Sequence, residues 1–196
     1  MSESTALSRY QSRYLAKKAF FNFLGSSFRL FDTSGNLVFF VKQKAFKLKE
    51  EITVFADEGQ SDAQLRIKAR SILDVSATYD VTDANTGEGV GALQRKGLKS
   101  ILRDEWVILD TEGSPVGSIK EDSTLFALLR RFLSNLIPQT FLITIGSKQV
   151  GRIKQRFNPF ILGYDVDFSA AEDGEMDPRL AVASVVLLLA IEGRQK

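Results

Sequence analysis

Leu180–Ile191 is a run of twelve residues in which only Ser184 is polar. Asp177 is a good N-cap and Pro178 a good first helical residue, so a helix is expected to begin there. A helix that is apolar all round has to be covered on every side. At a rise of about 1.5 Å per residue it is roughly 18 Å long. That is short of the roughly 30 Å of hydrocarbon a spanning helix must cross. The run therefore predicts a helix wrapped by protein, with no transmembrane span.

Upstream, the wrapper reads as strands. Tyr14–Lys18, Phe20–Phe23, Phe28–Asp32, Leu37–Lys42, Ile52–Ala56 and Leu65–Ala69 are short runs rich in aromatic, β-branched or alternating residues. A hairpin unit then recurs. Tyr79–Asp83 turns into Val90–Gln94, Trp106–Asp110 into Val116–Lys120, and Phe141–Ile145 into Val150–Lys154. Phe28–Asp32 followed by Leu37–Val41 is a looser copy. In the three clear copies the second strand opens Val-Gly-x-Leu/Ile, placing Gly91, Gly117 and Gly151 just inside a strand. Glycine there marks a bend or a close backbone approach, as a tight barrel wall requires. A phosphate loop would need a helix to follow, and none does. Gly163–Phe168 is a last alternating strand before the acidic stretch Ala170–Asp177. The fold class expected is mainly β: a closed antiparallel barrel of about twelve strands around a buried C-terminal helix.

One further helix is expected over Ser123–Ile137. Leu125, Leu128, Leu129, Phe132, Leu133 and Leu136 form one apolar stripe, and Pro138 ends it. Packing over a barrel end is the plain reading. The sharper one is an interfacial helix, with Leu125, Leu129, Arg130, Arg131 and Phe132 facing a membrane. Residues 1–13 read as a polar tail and 14–196 as a single domain, since no linker divides them.

The chain has no Cys and no His. Disulfides, thiolate metal sites and Cys–His or Ser–His–Asp catalysis are thereby excluded. The carboxylate pairs Asp80 with Asp83 and Asp165 with Asp167 remain, but they sit where hairpin ends and strands explain them. No acid–base couple is recognisable, so no enzyme, cofactor or metal is expected. A net charge of +2 gives no global field for nucleic acid, and none is expected as a partner. Met1–Tyr14 contains no apolar core of a secretory signal, so a cytoplasmic location is expected.

Taken together, the opening Tyr14-Leu-Ala-Lys-Lys, the Phe31-Asp-x-x-Gly35-Asn turn, the Val-Gly strands, Gly163-Tyr-Asp-Val and the Asp177-Pro-x-Leu entry to an apolar helix resemble the tubby-like barrel superfamily. Within it the chain is most similar to the LURP-one-related and phospholipid scramblase-like group. The resemblance implies a central-helix barrel and a lipid, phosphoinositide or protein partner, and in scramblases calcium-dependent lipid movement. The chain departs from scramblases in lacking their cysteine-rich segment and proline-rich arm. Asp165 and Asp167 could match the first and third acidic positions of their calcium segment, but Ala170 stands where its turn glycine belongs.

Three basic runs could meet phosphates: Lys42, Lys44, Lys47 and Lys49; Arg95, Lys96, Lys99 and Arg103; and Arg152, Lys154 and Arg156. Alternate strand residues share a face, so each run is either a binding wall or a solvated outside. The function expected is a non-enzymatic binding or scaffold module, cytoplasmic or peripheral to a membrane. Its partner is an anionic phospholipid or a protein. The alternative is a scramblase-like protein that inserts its terminal helix.

Overall fold

A computed structural model of the chain describes residues 9–21, 25–43, 51–70, 77–96, 105–122, 138–156 and 162–191. Among these residues twelve strands precede one helix: β1 (Arg13–Phe21), β2 (Gly25–Phe31), β3 (Leu37–Gln43), β4 (Glu51–Phe55), β5 (Ala63–Ala69), β6 (Thr78–Asp83), β7 (Gly89–Arg95), β8 (Glu105–Leu109), β9 (Pro115–Glu121), β10 (Thr140–Ile145), β11 (Lys148–Arg156), β12 (Leu162–Asp167) and α1 (Pro178–Ile191). Each strand pairs antiparallel with its sequence neighbours, and β1 pairs with β12 to close the barrel. Closure into a barrel is one way a fold removes the sheet edges that template aggregation. Tyr14–Lys18 and the described part of the Phe20–Phe23 run, Phe20 and Phe21, lie in one strand and not two. β1 continues through Ala19, because nothing between them breaks extended backbone. The expected helix over Ser123–Ile137 lies outside the described residues.

α1 fills the barrel. Every residue from Leu180 to Ala190 is buried. Asp177 caps its start, accepting the Arg179 N–H at 2.8 Å through its side chain and the Ala181 N–H at 3.0 Å through its carbonyl. The lone polar residue is satisfied within the helix, since the Ser184 hydroxyl donates to the Leu180 carbonyl at 2.8 Å. The strands alternate, so their inner faces present Phe28, Phe39, Val54, Ile67, Leu93 and Ile143, all fully buried in one core with α1. Each such side chain contributes about 1.5–3 kcal/mol by leaving water. Among the described residues no helix is long and apolar enough to cross a membrane.

The hairpins share one device. Val81 pairs with Gly91 and Thr82 with Gly89, which leaves Val90 as an extra residue. The same slip leaves Val116 unpaired in β9 and Val150 in β11. Val38 and Gln64 take that place in β3 and β5. Positions 38, 64, 90 and 116 are equally spaced, so β4–β5 is a further copy of the hairpin, hidden in the sequence because Leu65 replaces the glycine. A bulge bends its strand and raises the local twist, which turns a flat meander into a barrel. The glycine after the bulge is where the wall crowds. A Cβ on Gly117 would lie 2.2 Å from the Thr144 carbonyl oxygen. Gly91 has φ +137° and its Cβ would lie 2.6 Å from the Leu109 carbonyl oxygen. An aspartate opens four of the turns: Asp32, Asp57, Asp83 and Asp110 accept backbone N–H groups from Asn36, Asp62, Asn85 and Ser114 at 2.8–2.9 Å.

The β1–β2 hairpin lacks this bulge. β1 and β2 stay in register from Leu15 opposite Phe31 to Phe21 opposite Gly25. Between β3 and β4, among the described residues, the register is the single pair Phe40 and Phe55.

Candidate binding surface

β11 sorts its side chains by alternation. Ile153 and Gln155 point into the barrel and are buried, while Arg152, Lys154 and Arg156 stand exposed outside. Arg152 lies opposite Asp167 of β12 and Lys154 opposite Asp165. The ion pairs do not follow that register. Arg156 takes Asp165 at 2.9 Å, and Arg13 of β1 takes Asp167 at 3.2 Å. At the start of β11, Lys148 reaches Glu172 at 2.7 Å and Glu175 at 3.0 Å. Arg152 and Lys154 thus make no ion pair among the described residues. On their other side Leu142 of β10 sits half-buried between Arg152 and Lys120 of β9. Lys120 shares Glu105 at 3.3 Å. The result is a wall of cations with one apolar step.

The electrostatics follow from these partners. Glu172 and Glu175 raise the Lys148 ammonium above its ordinary range. The Glu172 N–H and then Lys148 hold the Glu175 carboxyl below its own. For Asp167, burial pushes the carboxyl up, but the Ser169 hydroxyl and N–H and Arg13 outweigh it and the net is downward. Among the described residues, no group of three acidic side chains is arranged to hold a metal ion. Five acids of the 165–177 stretch are instead distributed among cations: Asp165 to Arg156, Asp167 to Arg13, Glu172 and Glu175 to Lys148, and Asp177 to Arg179. The other carboxylate pair is divided in the same way: Asp80 binds Arg70 at 2.8 Å and Asp83 binds Arg179 at 3.2 Å.

Arg179 is the hub where α1 enters the barrel. Its side chain is 14% exposed, and it meets Asp177 at 2.8 Å, Glu88 at 2.8 Å and Asp83 at 3.2 Å. These carboxylates raise the guanidinium further above its already high range, Asp177 most of all. Burial alone would raise Asp83, but the Asn85 and Thr86 N–H groups and Arg179 hold it low. Tyr10 packs on Phe39 with ring centroids 5.0 Å apart, and burial together with Asp83 pushes its phenol up. Burial takes Tyr14 to about 12 against the pull of the Gln11 N–H. This clasp is a structural site. Asp83 and Glu88 lie 96 and 91 residues from Arg179 in sequence, so nothing in the residues around Arg179 announced them.

At the other end of α1, Lys18 is 3% exposed and donates from Nζ to the Leu189 carbonyl at 3.0 Å. A cation at a helix C-terminus meets its orphan carbonyls and favours its dipole. The second basic run is dispersed. Lys96 is tied to Glu105 at 2.7 Å, and Arg95 lies opposite Trp106. Lys99 and Arg103 lie outside the described residues. Of the first run only Lys42 is described, and it is exposed. The residues expected to face a membrane, Leu125, Leu129, Arg130, Arg131 and Phe132, also lie outside the described residues.

No curated protein and no solved structure matches the chain. The family model for LURP-one-related proteins matches residues 38–189, from the bulge of β3 to the last turn of α1. The chain therefore belongs to the LURP-one-related family.

Proposed function

We propose that this protein is a non-enzymatic, cytoplasmic binding module that reads anionic lipid headgroups with the outer wall of β9–β11. The observation that carries the reading is the state of Arg152 and Lys154: exposed, adjacent on one face and uncommitted to any carboxylate among the described residues. Phosphate-bearing surfaces attract such groups at about 1 kcal/mol each, within a Debye length. The absence of Cys and His and the arginine held by each candidate carboxylate support a role without catalysis. The enclosure of α1 weighs against a scramblase-like insertion, which would strip the barrel of its core.

Co-sedimentation with phosphatidylcholine vesicles, with and without phosphoinositide, across a salt series tests this. Binding should need the anionic lipid and fall as salt rises. It should be lost in Arg152→Ala/Lys154→Ala. Binding indifferent to salt and headgroup would mean apolar insertion instead. No binding by the folded protein would leave a scaffold for a protein partner.

A further inference from the structure

The cations of β11 and the acids that follow them are laid out as two matching rows. Along β11 run Lys148, Arg152, Lys154 and Arg156. Beside them, in antiparallel order, come Glu172 and Glu175, then Asp167, then Asp165. Two rungs are closed, Lys148 with its glutamates and Arg156 with Asp165. At the middle rungs Asp167 and Asp165 lie opposite Arg152 and Lys154, but their closest contacts go to Arg13 and Arg156. The geometry points to an electrostatic self-competitor: Asp165, Glu172 and Glu175 occupy the two ends of the basic row, Arg156 and Lys148, in place of an anionic membrane, and the two exclude each other. This rests on the headgroup-reading role proposed above and adds its regulation.

The chemistry suits exchange. These pairs are exposed, with side-chain accessibilities of 42–84% except for Glu175 at 20%. Pairs of this kind are individually weak and screened by salt. A membrane presents many phosphates at once, so it can outbid a short row of carboxylates. Arg152 and Lys154 are the contacts that need no release, and Lys148 and Arg156 are recruited after them. The stretch leads directly into the cap of α1. That cap is held separately by Arg179, so loosening the row leaves the core closed.

The experiment compares the unaltered 196-residue chain with Asp165→Asn/Glu172→Gln/Glu175→Gln on phosphatidylcholine vesicles containing phosphoinositide. A control of equal charge, Glu51→Gln/Glu112→Gln/Asp173→Asn, removes exposed acids that make no ion pair among the described residues. Circular dichroism establishes that each variant is folded, and Glu172→Gln/Glu175→Gln replaces the triple variant if it is not. The row variant should bind about three- to tenfold more tightly than wild type at low salt, and the control clearly less so. Equal gains from row and control would reduce the effect to net charge and overturn the inference. So would wild-type binding that depends on Arg152 and Lys154 yet is unchanged in the row variant, which spares the headgroup reading. Absence of binding in all the proteins would overturn both.

Discussion

Two groups of ion pairs flank the same short stretch of chain, and they do opposite work. The Arg179 clasp is largely enclosed, with Arg179 at 14% and Asp83 at 15% side-chain exposure. The β11 row stands in water, with Arg156 at 54% and Asp165 at 52%. In the clasp, taking away one partner strands a partly buried charge, so the contact is held permanently. In the row, water or another anion can replace a partner at little cost, so the contact is exchangeable. The difference teaches that charge content does not identify a binding surface; solvent access around the pairs does.

The largest effect should come from what the clasp closes over. Leu188→Asp places an unpaired carboxylate in the core of the barrel and should cost more than about 4 kcal/mol. Far-UV circular dichroism and urea titration should show no cooperative fold. A folded Leu188→Asp protein would sink the enclosed-helix architecture. Arg179→Gln comes next, with an expected loss of about 2 kcal/mol in chemical denaturation, since Asp83 keeps its turn N–H donors but loses its countercharge. A silent Arg179→Gln would erase the distinction between clasp and row.

The clasp should also set the acid limb of stability. The folded Asp83 carboxyl is held below its ordinary range. Its contribution is therefore fully present above the unfolded value of about 4 and is lost as pH falls through the folded value. Arg179→Gln should flatten that limb in a Tm-against-pH series. The row should behave otherwise. Glu172→Gln/Glu175→Gln should move Tm by no more than about 2 °C. The smallest effect on stability belongs to Arg152→Ala/Lys154→Ala, within about 0.5 kcal/mol of wild type by denaturation. The same variant should show the largest loss of vesicle binding.

Much of the barrel was legible because its signals are local. A glycine one residue into a strand and an aspartate at a turn each act within a few residues, and both recur from hairpin to hairpin. The apolar run of α1 needed only its own composition and Asp177-Pro178. Long-range pairing was not legible. Asp165 and Asp167 look like a carboxylate couple until the placement of β12 between β11 and β1 gives one to Arg156 and the other to Arg13. Lys18 lies in a run that reads as an ordinary strand, and only the closed barrel sets it under Leu189. The basic run on β11 was visible as alternation, but which of its members are engaged depends on neighbours from β1 and the stretch before α1.

The position of α1 at the end of the fold has a consequence for synthesis. Every strand is made before the helix that fills the barrel, and β1 must wait for β12 to close the wall. A nascent chain that has extruded β1 to β11 carries inward-facing Phe28, Phe39 and Ile143 with nothing yet to cover them. Such exposed apolar faces are what chaperones bind and what aggregates. Chains that lack α1 should therefore stay protease-sensitive, and resistance should appear in one step once α1 is free to enter the barrel.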